Sequence, residues 1–140
     1  MYDDERFSFY MALDGPHLDG LIGHAGILRF DWPEQKYYIQ YYEGVSAGHN
    51  VSLSPDGKMA LLGNFSQQII LLDIKNADNM RVIARQATQY IEECPYRLRS
   101  NTHHLWYPDN EHFIGVIGDH LYRFHVDRLK EPEQLGPHYL

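Results

Sequence analysis

At 140 residues, 44% of them hydrophobic and 22% charged, the chain has the size and composition of one folded domain and not of a disordered segment. A net charge of −7 without any Lys/Arg-rich run excludes the electrostatic footprint of a nucleic-acid binder and of a basic lipid-binding patch. The single cysteine, Cys94, excludes an internal disulfide and a multi-cysteine zinc site, and no apolar stretch reaches the ~18 residues of a membrane-spanning helix.

In chain order, Met1-Tyr2-Asp3-Asp4-Glu5 is acidic and has neither the charged nor the apolar region of a signal peptide, so a cytoplasmic location is the expectation. Phe7 to Leu13 predicts a strand, followed by a turn-rich stretch, Asp14-Gly15-Pro16-His17-Leu18-Asp19-Gly20. Two more strands follow, Leu28-Arg29-Phe30-Asp31-Trp32 and, past Pro33, Lys36 to Tyr42. The 14% aromatic content favours this β assignment, because aromatic side chains suit a pleated, half-buried surface.

The strongest signal is a repeat. Leu53-Ser54-Pro55-Asp56-Gly57-Lys58-Met59 joins two apolar strands, and Trp106-Tyr107-Pro108-Asp109-Asn110-Glu111-His112 does the same. Pro presets φ, Asp bonds its own backbone locally, and Gly, or Asn110 in the second copy, takes a positive φ. A third strand follows each pair, Ile70-Leu71-Leu72-Asp73-Ile74 and then Tyr122-Arg123-Phe124-His125-Val126. Asp31, Asp73 and His125 therefore occupy equivalent positions. Met80 to Gln86 fits a fourth strand, although apolar spacing through Cys94 is also helical. Repeat register favours a strand at least to Gln86, with a short helix over Thr88 to Cys94 compatible. The last fourth strand, within Glu131 to Leu140, reads as cut short.

Four strands per unit at a period of 40–45 residues is the signature of propeller blades. The predicted fold is all-β: about three four-stranded antiparallel propeller blades, an incomplete propeller. The blades span approximately residues 5–45, 46–86 and 101–140, with an insertion over 87–100. Propellers use four to eight blades. Three cannot close a ring, so the chain is expected to be part of a longer protein or, as the alternative, to assemble with further copies.

Residues 48–75, with Gly48-His49-Asn50 ahead of Ser54-Pro55-Asp56-Gly57-Lys58 and then Ile69-Ile70-Leu71-Leu72-Asp73, resemble one blade of the seven-bladed lactonase/YVTN-type propellers. The turn is also like that of WD40 blades, although the closing Trp-Asp of those blades is missing. The resemblance implies a propeller and, by analogy only, hydrolase chemistry.

Nine histidines are the unusual feature of the composition. The first strand of a propeller blade is innermost, so His49 and the pair His103/His104 would approach a central axis. Imidazoles converging there suit a divalent metal or a general base. The competing reading makes them hydrogen-bonded loop residues, and aligned register matches His104 with Val51, which turns His104 into the core between units. His112 and His120 read as strand and turn residues, and His125 as a structural replacement of Asp that still accepts a backbone hydrogen bond. Asp14, His17 and Asp19 form a weaker candidate ligand loop, without the oxygen ligands of a calcium site. No phosphate cradle follows a strand, and no Gly-x-Ser-x-Gly elbow exists.

The expected function is a ligand- or protein-binding scaffold with no chemistry of its own. The alternative is a piece of a lactonase-like hydrolase with a His-lined, metal-binding centre, and a metal-binding module without catalysis comes third. Expected partners are a protein or small molecule, with neither nucleic acid nor membrane involved.

Overall fold

The computed structural model describes residues 6–14, 24–45, 48–64, 68–88, 103–117 and 120–137. Apart from Thr88, which is in a 3-10 conformation, the regular structure among them is β, in three consecutive antiparallel meanders. The first sheet has three strands, β1 (Phe7–Leu13), β2 (Gly26–Trp32) and β3 (Lys36–Tyr41). The middle sheet has four, β4 (Gly48–Leu53), β5 (Met59–Asn64), β6 (Gln68–Asp73) and β7 (Arg81–Ala87). The third also has four, β8 (His104–Trp106), β9 (His112–Ile117), β10 (His120–His125) and β11 (Glu133–Pro137).

The strand registers bear out the repeat. Ser8 faces Asp31, Met59 faces Asp73 and His112 faces His125, each at the start of a corresponding strand pair. Asp73 Oδ1 accepts the Lys75 amide at 3.0 Å, and His125 Nδ1 accepts the Asp127 amide at 3.1 Å. The imidazole thus takes over the local turn bond of the carboxylate it replaces.

The two proline turns are equally parallel. Gly57 has φ +71°, and Asn110 adopts φ +60° at the matching position. Asp56 Oδ1 accepts from the Ser54 hydroxyl at 2.7 Å and the Lys58 amide at 3.0 Å. Asn110 Oδ1 accepts the Asp56 amide at 2.8 Å, so the two turns are tied side by side.

Burial explains the apolar patterns. Period-two alternation sends successive side chains to opposite faces. Ala60, Leu62, Ile70 and Leu72 of the middle sheet pack against Ala25, Ile27 and Tyr42 of the first. Leu61, Ile69 and Leu71, on the other face, pack against Phe113, Tyr122 and Phe124 of the third. The middle strands are covered on both faces, so they read as continuous apolar runs.

Two expectations are refined. Residues 81–87 are a strand, and a bulge between Leu71 and Leu72 leaves Ile83 as an extra, exposed residue opposite them. That extra residue breaks the two-residue period and produces the helix-like spacing. The fourth strand of the third unit does form, as the short β11 with its own bulge. The segment 89–100, with Cys94 and most of the expected insertion, lies outside the described residues. Among the described residues no helix is long and apolar enough to cross a membrane.

Candidate functional site

The histidines named from the sequence separate into two environments. β4 opens with a register shift at Gly48–Asn50, which gives His49 an irregular, exposed position. Gly48 itself lies against the end of β1: a Cβ there would come within 2.3 Å of the Leu13 carbonyl oxygen. His103 precedes β8, also exposed. The edges of β4 and β8 are tied by two bonds. The Ser52 hydroxyl donates to the His104 carbonyl at 3.3 Å, and the Trp106 indole N–H donates to the Ser52 carbonyl at 3.1 Å. As a result the His49 and His103 rings lie 5.2 Å apart, centroid to centroid.

His104 turns the other way, as adjacent strand residues must. Its ring stands edge-on to Phe113 at 5.7 Å, inside the stack. Burial pushes its pKa down to about 3, with the neighbouring His103 acting in the same direction. His104 is therefore a half-buried imidazole, neutral at pH 7 and packed against the core, and is not presented with the other two. Two imidazoles make half of a tetrahedral zinc site, which takes four donors. Of the proposed ligand loop, Asp14 is exposed just past β1, and His17 and Asp19 lie outside the described residues.

A second cluster was not read from the sequence as a site. Ligand atoms of Asp109, Glu111 and His112 lie within 4.8 Å of one another. Asp109 Oδ1 accepts the amides of Glu111 at 2.9 Å and His112 at 3.0 Å, and its Oδ2 lies 2.6 Å from His112 Nδ1. The Glu111 amide, followed by the His112 ring and amide, holds the Asp109 carboxyl down at about 2. The His112 ring meets that of His125 edge-on at 4.8 Å, beside a polar cleft of about 220 Å³ that Arg123 and Glu133 also line. Turn chemistry accounts for the cluster: both Asp109 oxygens already serve the Pro-Asp-Asn turn. The sequence signal was Asp-x-Glu-His, which begins within that turn and runs into β9.

The most unusual surface is apolar. The face of the first sheet turned away from the middle sheet is called its front here. Rows across it read Phe9, Phe30, Tyr37 and then Met11, Leu28, Ile39, with Phe7 beside Trp32. Every side chain in these rows is apolar or tyrosine. Phe9 is 57% exposed, Met11 60% and Tyr37 65%. The rings cover one another, Phe7 on Trp32 at 6.3 Å and Phe9 on Phe30 at 6.4 Å. At the opposite end of the stack, the outward back face of the third sheet carries Ile114, Val116 and Leu121 beside the polar group His112, Arg123 and His125. Comparison with protein-family models and with curated proteins finds no match for this chain.

Proposed function

We propose that this chain is a binding scaffold with no chemistry of its own, built of three propeller-type blades and working through its terminal sheet faces. One observation carries this reading: the exposed large apolar side chains gather as an aromatic face on the first sheet, and contiguous apolar patches of this kind mark interaction surfaces. The buried polar side chains support it. Ser54 and Asn64 bond turn and strand backbone, which is structural work. The net charge of −7 fits a protein or small-molecule partner better than nucleic acid.

The second reading, a His-lined and metal-binding centre of a lactonase-like hydrolase, is favoured by the 5.2 Å approach of the His49 and His103 rings. One experiment separates the two. Thermal unfolding is followed with and without zinc, manganese and calcium, together with turnover of simple lactones and aryl esters. The scaffold predicts an unchanged midpoint and no turnover. Metal-dependent turnover that is lost in both His49→Ala and His103→Ala would overturn it.

A further inference from the structure

We infer that the front face of the first sheet docks on the back face of the third sheet of a second copy, and that two copies close a ring of six sheets. This rests on the scaffold reading and names its partner.

The inference comes from the polarity of the stack. Equivalent positions, set by the registers, give every sheet the same front and back. Ser8, Met59 and His112 correspond, and so do Phe9, Ala60 and Phe113. The first sheet lays its back on the front of the middle sheet, and the middle sheet lays its back on the front of the third. Both internal contacts are thus back-to-front. The faces left over are one front and one back, the two halves of the same kind of contact.

The composition of those faces agrees. Front positions are apolar in all three sheets: Phe30, Leu72 and Phe124 correspond, as do Leu28, Ile70 and Tyr122. Leu72, Phe124, Ile70 and Tyr122 are buried under a neighbouring sheet. Back positions accept a polar corner. Within the first internal contact, Arg29 pairs with Asp31 at 2.7 Å, and Ser8 donates to the same carboxylate at 2.6 Å. The exposed back of the third sheet has Arg123, His125 and His112 at these three positions, with Arg123 already paired to Glu133. Its apolar part, Ile114 and Leu121, matches Tyr10 and Ile27, which pack on the middle sheet.

Area favours a closed pair over an open chain. A face of three strands of six or seven residues covers on the order of 300 Å² in projection, from ~3.4 Å per residue and ~4.8 Å per strand. One such contact falls short of the ~800 Å² per partner of a stable interface. A two-copy ring uses both faces of each copy, and side-chain relief adds to the projected area. Head-to-tail contacts close into rings when the rotation permits, and six sheets fall within the four to eight of known propellers.

The test is mass by light scattering across a concentration series of the whole chain, with Phe9→Asp on the front and Val116→Asp on the back. The expected result is twice the 16.4 kDa chain mass for the wild type, with both variants monomeric and retaining the wild-type β circular dichroism. A monomer at tens of micromolar overturns the inference and leaves the scaffold reading standing, since that reading is judged by turnover. A dimer that Val116→Asp leaves intact overturns the front-to-back contact in favour of front-to-front pairing. If a variant does not fold, the wild type still decides. Trp32 stands on the front face, 40% exposed, so acrylamide quenching must fall as the concentration rises through assembly. Quenching independent of concentration overturns the inference.

Discussion

The first and middle sheets are built from the same kind of strand and end up with opposite fates. Both mix apolar residues onto both faces. In the middle sheet a neighbour lies on each side, and Leu61, Leu62, Ile69 and Ile70 are fully buried. In the first sheet only the back is covered, and the front leaves Phe9, Met11, Tyr37 and Ile39 about half exposed or more. An antiparallel sheet meant to face water alternates apolar with polar residues. The first sheet does alternate over Leu28-Arg29-Phe30-Asp31-Trp32, but the apolar side of that alternation is the uncovered front, so the pattern is that of a sheet whose front is covered, as it is in the middle sheet.

Core truncation gives the sharpest contrast. Leu72→Ala in the middle sheet is expected to cost about 2–5 kcal/mol in urea unfolding, the range for deleting a fully buried leucine side chain. Phe9→Ala is expected to cost less than about 0.5 kcal/mol at concentrations where the chain is monomeric. Its cost should then grow with concentration, because assembly stabilises only the folded chain. A Phe9→Ala effect as large as that of Leu72→Ala at low concentration would break the comparison.

The next largest effect belongs to His104, beside the buried Phe113. The folded pKa of His104, about 3, lies below the unfolded value of ~6.5. Between those values the unfolded chain binds a proton that the folded chain refuses. Stability therefore falls as pH drops through that window, by up to about 2 kcal/mol at pH 5. The carboxyls of Asp31, Asp73 and Asp109, all held low, titrate further down, and comparison with His104→Leu cancels what the other eight histidines contribute. Urea midpoints at pH 7.5 and 5 should differ less in His104→Leu than in the wild type. An equal difference would place His104 outside the core.

The smallest effect separates the two turns. At Gly57 a Cβ would meet nothing within 4 Å, so Gly57→Ala carries only the backbone cost of a positive φ, about 1 kcal/mol. Gly57→Asn should cost clearly less, since Asn110 already holds φ +60° at the matching position. Equal losses for both variants would mean that the second turn does not report on the first.

Much of this was legible locally. The Ser-Pro-Asp-Gly and Tyr-Pro-Asp-Asn turns, the strands on either side of them and the equivalence of Asp31, Asp73 and His125 all follow from chemistry within a few residues. Matching His104 with Val51 also anticipated its inward turn. The Asp109–Glu111–His112 cluster was not singled out, because an Asp-x-Glu-His run that begins in a turn looks like ordinary turn polarity until the side chains are placed. The reading of residues 80–94 was divided because one bulge residue, Ile83, shifts the two-residue period.

By itself, the sequence determined the all-β class, the turns and the repeat register, because Pro, Gly and Asp constrain the backbone within a few bonds and alternation is a property of a single strand. The tertiary structure alone decided which faces are covered. It alone set the His49 and His103 rings 5.2 Å apart and left the front of the first sheet open. Those outcomes depend on contacts between residues some fifty positions apart, where burial is shared between sheets and no local pattern records which neighbour is present.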